Sequence, residues 1–198
     1  MNEVIITRIW TIQPYKVWEI IQECGEFVCD ITKSEHYEPV FWENAFASAY
    51  EWLVGEMSKK ISKPDDITFP VWAWHTFAWK NEKTSEEVVP SDEKQVCLEL
   101  EVPDGEVFLS DHEAWETYVL SNQYYPHAFS EIECDERYAC FEKLLPDERE
   151  AEKKESWRSI LDVTPVETDF ARQGCYVQAT IWKIKSSYVR NVEVIDAV

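Results

Sequence analysis

Strands are predicted in five segments of the chain, where apolar and polar residues alternate or β-branched residues cluster. These segments are residues 4–10, 68–79, 95–102, 174–185 and 188–195. In the second segment, Trp72 and Trp74 fall on one face and Val71 and Ala73 on the other, so neither face is polar. This strand is therefore expected to be central in its sheet and covered on both sides.

Helices are predicted where apolar residues recur every three or four positions. A first helix opens at Pro14 and stops at Gly25, and a second runs from Pro39 to Met57. Ser110 followed three residues later by Glu113 has the form of a capping box, which predicts a third helix with Ser110 as its cap. Residues 134–145 are predicted to be helical, and the charge-dense residues 146–155 to be a solvated face or a linker.

Together these elements predict an α+β fold, in which a mixed or antiparallel sheet carries inserted helices. The chain has 198 residues, and that length favours one domain spanning residues 1–198. Four glycines in the whole chain argue against a glycine-rich phosphate loop and against a repetitive all-β fold.

The net charge of −20 changes the expectation about partners. General electrostatic attraction to nucleic acid or to an anionic membrane is disfavoured, although a local basic pocket remains compatible with it. The acidic surface serves solubility, or it mimics nucleic acid and meets a basic protein partner.

No targeting or metal-binding motif is found in the sequence. No run reaches the roughly 20 apolar residues of a membrane span, and no basic region precedes an apolar core at the start of the chain. The six cysteines and four histidines lack the spacings of zinc sites, so no metal is expected and the thiols are expected to be reduced. These observations predict a cytoplasmic protein.

Tryptophan is the most unusual component, with ten residues in the chain. Trp72 and Trp74 either pack in the core against the helix over residues 39–57 or form a stacking wall for a flat ring. A second candidate group lies near the end of the first predicted strand and consists of Trp10, Thr11 and Gln13. They are read either as a buried ring and a helix cap or as groups that orient a ligand.

Gln178 and Thr180 share a face of the late strand with Trp182. This face is read either as an exposed sheet surface or as part of a ligand site.

Several local strings resemble an uncharacterised bacterial family that is known only as a domain of unknown function. The strings are residues 9–13 (IWTIQ), 72–74 (WAW), 100–103 (LEVP), 109–111 (LSD) followed by Trp115, and 177–182 (VQATIW). Because the strings are spread over nearly the full length, the resemblance implies a single full-length domain. It implies no activity.

The opening strand, turn and helix ending at Gly25, together with the late strand, more distantly resemble ADP-ribosyltransferase folds. This resemblance implies a split sheet and a nucleotide pocket for NAD. In that superfamily a glutamine or glutamate commonly stands two residues before a catalytic glutamate. Here the matching pair is Gln178 and Thr180, so the glutamate is absent.

If the chain is an enzyme, which the sequence leaves open, the resemblance implies attack on the glycosidic bond of NAD. Trp72 or Trp74 would stack the ring, and Thr11, Gln13 and Gln178 would orient it, with Thr180 in the place of the acid. The alternative is a non-enzymatic acidic protein that binds a basic partner, because no catalytic motif is complete.

Overall fold

The computed structural model describes residues 4–33, 46–83 and 91–197. Ten strands are assigned there, and six of them form one antiparallel sheet in the order β10-β4-β1-β3-β8-β5. The strands of this sheet are β1 (Ile6–Pro14), β3 (Val71–Thr76), β4 (Gln95–Pro103), β5 (Phe108–Asp111), β8 (Val177–Ile181) and β10 (Val189–Ile195). Two small ribbons pair β2 (Glu26–Val28) with β9 (Lys183–Lys185), and β6 (Val166–Glu167) with β7 (Arg172–Gln173).

Five α-helices are assigned within the described residues: α1 (Tyr15–Cys24), α2 (Ala47–Lys60), α3 (His112–Ala114), α4 (Glu131–Phe141) and α5 (Pro146–Ser156). Helix α3 continues directly as a π-helix over Trp115–Leu120. With the antiparallel sheet, these helices confirm the α+β class. None of the described helices is long and apolar enough to cross a membrane.

The six-stranded sheet has two halves that meet at a narrow junction. Strands β10, β4 and β1 form one half, and the register of β1 with β4 extends from the pair Ile6–Pro103 to the pair Pro14–Gln95. Strands β3, β8 and β5 form the other half. Between β1 and β3 the register consists of the pair Trp10–Trp74. Pairing is therefore extended within each half, with one irregularity in β10–β4 and one in β3–β8, and it is local between the halves.

Each face of the sheet contributes to its own core. On one face, Ile9, Leu98 and Ala179 pack with Val17 and Ile21 of α1. On the other face, a second cluster joins α2 to the aromatic residues Phe108, Trp115 and Trp157. The sheet is thus covered by α1 on one side and by α2 with the π-helix on the other.

Local chemistry explains the bounds of α1. The helix begins directly after Pro14 and ends at Gly25, whose φ of +82° is a left-handed conformation that suits glycine. The Gly25 amide donates to the Ile21 carbonyl at 2.9 Å and closes the last turn. The predicted stop at Gly25 is confirmed. The start lies one residue later than predicted, because β1, which was predicted to end at Trp10, extends to Pro14.

Other predicted bounds change in the structure. Strand β3 ends at Thr76 because the next four residues form a tight turn, and the predicted strand over 174–185 is divided at Trp182 into β8 and β9. Residues 146–155 belong to helix α5 and are exposed except for Lys153, so they are the solvated face that was predicted as one alternative and not a linker. Part of the helix predicted over residues 39–57, with Trp42, lies outside the described residues, and its described part is α2.

The prediction that Ser110 caps the third helix is wrong. Ser110 is fully buried in β5, and Asp111 is the cap, with Oδ1 accepting from the Ala114 amide at 2.9 Å. The alternation of β5 extends through Asp111, so the capping position falls one residue later than the sequence motif indicates.

Candidate functional site

A row of four side chains crosses the sheet on the face opposite α1. Register pairs place Trp10 beside Trp74, Trp74 beside Gln178, and Gln178 beside Ser110. Directly opposed residues of antiparallel strands project from the same face. The row therefore joins three residues of the predicted site, Trp10, Trp74 and Gln178, to Ser110. Trp10, which lies across the junction of the two halves, is buried.

A hydrogen-bond chain leads from the buried end of this row to a histidine. Gln178 Nε2 donates to Ser110 Oγ at 3.0 Å, and Gln178 Oε1 lies 3.2 Å from His112 Nδ1. Because the Gln178 amide nitrogen is directed at Ser110, its oxygen is left to accept from Nδ1–H of His112. This tautomer, assigned from the network, leaves His112 Nε2 as the free nitrogen of the ring.

The backbone around His112 is held by buried polar contacts. Asp111 is buried, and its Oδ2 accepts from the Gly174 amide at 2.7 Å while its Oδ1 caps α3. The His112 amide donates to the Tyr176 carbonyl at 2.9 Å. These bonds fix the start of α3 against the beginning of β8, so the imidazole is held from the backbone as well as from Gln178.

Four aromatic rings form a continuous wall beside this chain. The His112 and Trp74 ring centroids are 4.7 Å apart in an edge-to-face arrangement. Phe77 packs against Trp74 at 5.8 Å, and Tyr176 packs against Phe77 at 4.9 Å. All four residues are half-buried, so the wall is partly open at the surface.

A strained turn lies next to the wall. Ala78 and Trp79 have φ values of +47° and +69°, and Phe77 and Lys80 exchange backbone hydrogen bonds around them. Two consecutive positive φ values suit a two-residue hairpin turn, but asparagine and glycine are the usual residues there. The Trp79 amide donates to the Cys175 carbonyl at 3.0 Å, which ties the turn to the start of β8.

The free edge of His112 faces a carboxylate. His112 Nε2 lies 3.6 Å from Glu116 Oε1, and the Glu116 side chain is exposed. A neutral imidazole in this position can accept a proton or a hydrogen bond, and a charged one can pair with Glu116. The site therefore offers an aromatic surface with a positioned nitrogen and a carboxylate at one edge.

The other sequence-predicted site residues lie elsewhere. Thr11 and Gln13 alternate with Trp10 and so project from the opposite face, the one covered by α1. Thr11 Oγ1 donates to the Trp72 carbonyl at 2.7 Å, and Gln13 Nε2 donates to Thr11 Oγ1 at 2.7 Å. These two residues link the halves of the sheet and are not brought to the row.

Trp72 and Thr180 are part of the core. The centroid of the Trp72 ring lies 5.2 Å from that of Trp115 and 5.8 Å from that of Tyr50. Of the two alternatives that the sequence left open for Trp72, the structure therefore shows packing in the core. Thr180 is fully buried and its Oγ1 donates to the Phe108 carbonyl at 3.3 Å. The Thr180 hydroxyl is therefore not available at the place of the missing acid.

Sequence reasoning did not bring His112, Ser110 and Tyr176 into the site. Ser110 and His112 are two positions apart, as are Tyr176 and Gln178, so the sequence already indicated that each pair lies on one face of its strand. What was missing was the pairing of β5 with β8, which is what brings Ser110 beside Gln178. In the described residues no three His, Cys, Asp or Glu side chains cluster as a metal site would require.

Comparison with known proteins adds a family but no activity. A family model described as a domain of unknown function (DUF3841) matches residues 8–190. Searches of curated proteins and of solved structures gave no match. The resemblance to ADP-ribosyltransferase folds is accordingly not confirmed.

Proposed function

The chain belongs to the DUF3841 family, and we propose from its geometry that it binds a nucleotide-type ligand, with NAD as the first candidate. The ligand would lie on the wall formed by His112, Trp74, Phe77 and Tyr176, called the Trp74 wall below. The observation that carries this proposal is the chain Ser110–Gln178–His112, which ends beside the half-buried Trp74 ring. Burying two polar side chains, Ser110 and Gln178, to hold one imidazole at an aromatic surface is favourable only where both are hydrogen-bonded, as they are here.

The wall suits the flat part of such a ligand. Rings stack or meet edge to face at centroid separations of roughly 4.5–7 Å. The four-ring series His112, Trp74, Phe77 and Tyr176 already has this spacing. A base or nicotinamide ring on the open side of Trp74 would continue the series without displacing a core residue.

Polar groups at two edges suit the rest of a nucleotide. Glu116 and His112 Nε2 lie together and can accept hydrogen bonds from ribose hydroxyls, a role for which acidic residues are used in dinucleotide sites. Arg8 precedes Trp10 by two residues on the same face, and its half-exposed guanidinium suits a phosphate. Glu99 and Glu101 lie 3.4 and 3.8 Å from the Arg8 guanidinium, so Arg8 would offer a phosphate its remaining N–H donors and not a net positive charge.

The test is a thermal-unfolding scan with and without millimolar NAD, ADP-ribose and nicotinamide. A ligand that binds only the folded chain at a hundredfold excess over its dissociation constant adds about 2.7 kcal/mol of stability. NAD or ADP-ribose is expected to raise the midpoint. Trp74→Leu should weaken this binding about tenfold, whereas Trp52→Leu, a matched variant that packs on Trp157, should leave it unchanged.

No rise with any of the three compounds would contradict the proposal. Equal binding by the Trp74→Leu and Trp52→Leu variants would contradict it as well, because the ligand would then be bound elsewhere.

A second candidate function is binding of a basic protein partner through helices α4 and α5. Residues 131–156 contain ten acidic and five basic side chains, and no α4 side chain is buried. In α5, Lys153 is the buried side chain. The two helices therefore present an acidic surface that the described core does not use.

The acidic surface is tested with deca-lysine as the probe. The paired substitutions Glu136→Gln and Glu152→Gln, both at exposed positions, should weaken binding several-fold. The control substitutions Glu19→Gln and Glu23→Gln on α1 should not, although they remove the same charge. If both pairs weakened binding equally, deca-lysine would be attracted by the net negative charge of the whole chain and not by α4 and α5, and this candidate would be excluded.

A further inference from the structure

A cavity of about 350 Å³ lies at the other end of β8, away from the Trp74 wall. It is enclosed by the C-terminal end of α2, the 3-10 turn Asp104–Glu106, and the chain from Ile181 to Lys185. Its volume falls within the range of small-molecule sites, roughly 300–1,000 Å³. None of the residues assigned to the nucleotide site lines this cavity.

The lining of the cavity has the opposite charge to the rest of the chain. Lys60, Lys183 and Lys185 line it together with one carboxylate, Glu106. In a chain of net charge −20, three ammonium groups around one cavity form a local positive site in a negative field. An anion entering from solvent would find its favourable position there.

The three lysines differ in how far their charge is already compensated. Lys183 Nζ lies 2.9 Å from Glu26, and Lys185 Nζ lies 2.9 Å from Glu106. Lys60 has no carboxylate at ion-pair distance among the described residues, and its Nζ lies 5.1 Å from the Phe108 ring centroid. Lys60 thus supplies the uncompensated charge.

Glu106 forms its hydrogen bonds and ion pair with residues other than Lys60. The Tyr188 hydroxyl donates to Glu106 Oε2 at 2.6 Å, and Lys185 Nζ donates to the same oxygen at 2.9 Å. With two donors on this oxygen, the carboxylate is neutralised within its own cluster. The charge of Lys60 is left for a ligand.

The floor of the cavity is apolar and the entrance is open. The floor is formed by three buried residues, Val102, Ile181 and Trp182. The Trp182 Nε1 donates to the carbonyl of Ile61, just beyond the end of α2, at 3.1 Å, so this polar atom of the floor has a partner. At Gly105 a Cβ atom would meet nothing within 4 Å. The cavity therefore combines an apolar floor with an ammonium group that has no carboxylate partner in the described part of the chain.

We propose that this cavity binds a small organic anion, with its carboxylate or phosphate group on Lys60 and its apolar body against Val102 and Ile181. Removal of the apolar body from water would favour binding. The ammonium would fix the orientation of the ligand, as the few polar groups of such sites do.

The probe is 8-anilinonaphthalene-1-sulfonate, an organic anion whose fluorescence rises when it is bound at an apolar site. One saturable site is expected on the folded chain. Lys60→Glu should weaken binding at least tenfold, and Lys59→Glu should not. Lys59 lies in the same last turn, does not line the cavity, and is paired with Glu56 at 2.6 Å.

A second pair of variants tests the space rather than the charge. Gly105→Phe should fill part of the cavity and weaken binding several-fold, and the same substitution at the exposed Gly55 of α2 should leave binding unchanged. A near-ultraviolet circular dichroism spectrum like that of the unsubstituted chain establishes that each variant is folded.

Competition identifies the anionic group. Displacement of the probe by inorganic phosphate assigns a phosphate-bearing ligand, and displacement by malonate assigns a carboxylate. Displacement by neither, or equal binding by the Lys60→Glu and Lys59→Glu variants, would overturn the proposal. None of these results depends on whether NAD binds at Trp74.

Discussion

Trp10 and Trp74 form the register pair at which the two halves of the six-stranded sheet meet. One residue further along β1, Thr11 Oγ1 donates to the Trp72 carbonyl at 2.7 Å and so adds a second bond across the junction. The two tryptophans project from the ligand-binding face proposed above, and Thr11 projects from the other face. The junction thus has a structural side and a candidate functional side.

Thr11→Val should weaken this junction. The substitution keeps the shape of the side chain but removes the donor, leaving a carbonyl without its partner, which costs about 1–3 kcal/mol. Urea denaturation should show a fall of this size in the free energy of unfolding. Gln13→Met is the control, because it removes the half-buried donor to Thr11 and leaves the bond to Trp72 intact. A smaller loss for Thr11→Val than for Gln13→Met would refute the structural role of Thr11.

Asp111→Ala should be more damaging than its position at the end of a short strand suggests. It removes a helix cap, worth about 0.5–2 kcal/mol, and leaves the Gly174 amide unsatisfied at a further cost of about 1–3 kcal/mol. Asp111→Asn keeps one carbonyl oxygen and is expected to lose about half as much, as measured by urea denaturation. A full loss with asparagine would mean that the charge of Asp111, rather than its two acceptors, is what matters.

Replacing Ala78 and Trp79 with asparagine and glycine should stabilise the fold. A left-handed conformation costs an ordinary L-residue roughly 1–2 kcal/mol, and Asn-Gly is the preferred pair for a turn with two positive φ values. The Trp79 side chain is 37% exposed, so the contacts that its covered part loses offset some of this gain. The midpoint of thermal unfolding should rise by several degrees. An unchanged or lower midpoint would show that the turn is not strained in solution.

His75 should make stability depend on pH. Burial lowers the pKa of His75 below its ordinary 6.5, and the nearby Asp104 opposes the shift only in part. A histidine with a lowered pKa in the folded state stabilises the fold above its unfolded pKa, and this contribution is lost as the pH falls through the folded pKa. Acidification from above 6.5 should therefore destabilise the chain more than it destabilises the His75→Gln variant. Parallel pH profiles of the free energy of unfolding would contradict this prediction.

Local sequence signals were sufficient for single elements. The start of α1 after Pro14 and its end at Gly25 follow from proline and glycine chemistry within a few residues. The alternation over residues 95–102 likewise corresponds to β4, which ends at Pro103. These features depend on neighbours along the chain, which the sequence shows directly.

Relations across the sheet could not be read in the same way. Thr11 and Gln13 were grouped with Gln178 because the opening and late strands resemble those of ADP-ribosyltransferase folds. The register of β1, however, places Thr11 and Gln13 on the other face. The partnership of Gln178 with Ser110 and His112 depends on the pairing of β5 with β8, across more than sixty residues of chain. A period of two gives the faces of each strand but not which strands are neighbours.

The most direct test of the Trp74 wall uses the indole N–H signals of the ten tryptophans in a ¹H–¹⁵N correlation spectrum, assigned by single Trp→Phe variants. On titration with NAD, the signals of Trp74 and Trp10 should shift and saturate together. The signal of Trp157, a fully buried ring whose indole N–H donates to the Gln123 carbonyl, should stay in place. An unchanged spectrum, or shifts confined to Trp157 and Trp182, would contradict binding at the Trp74 wall.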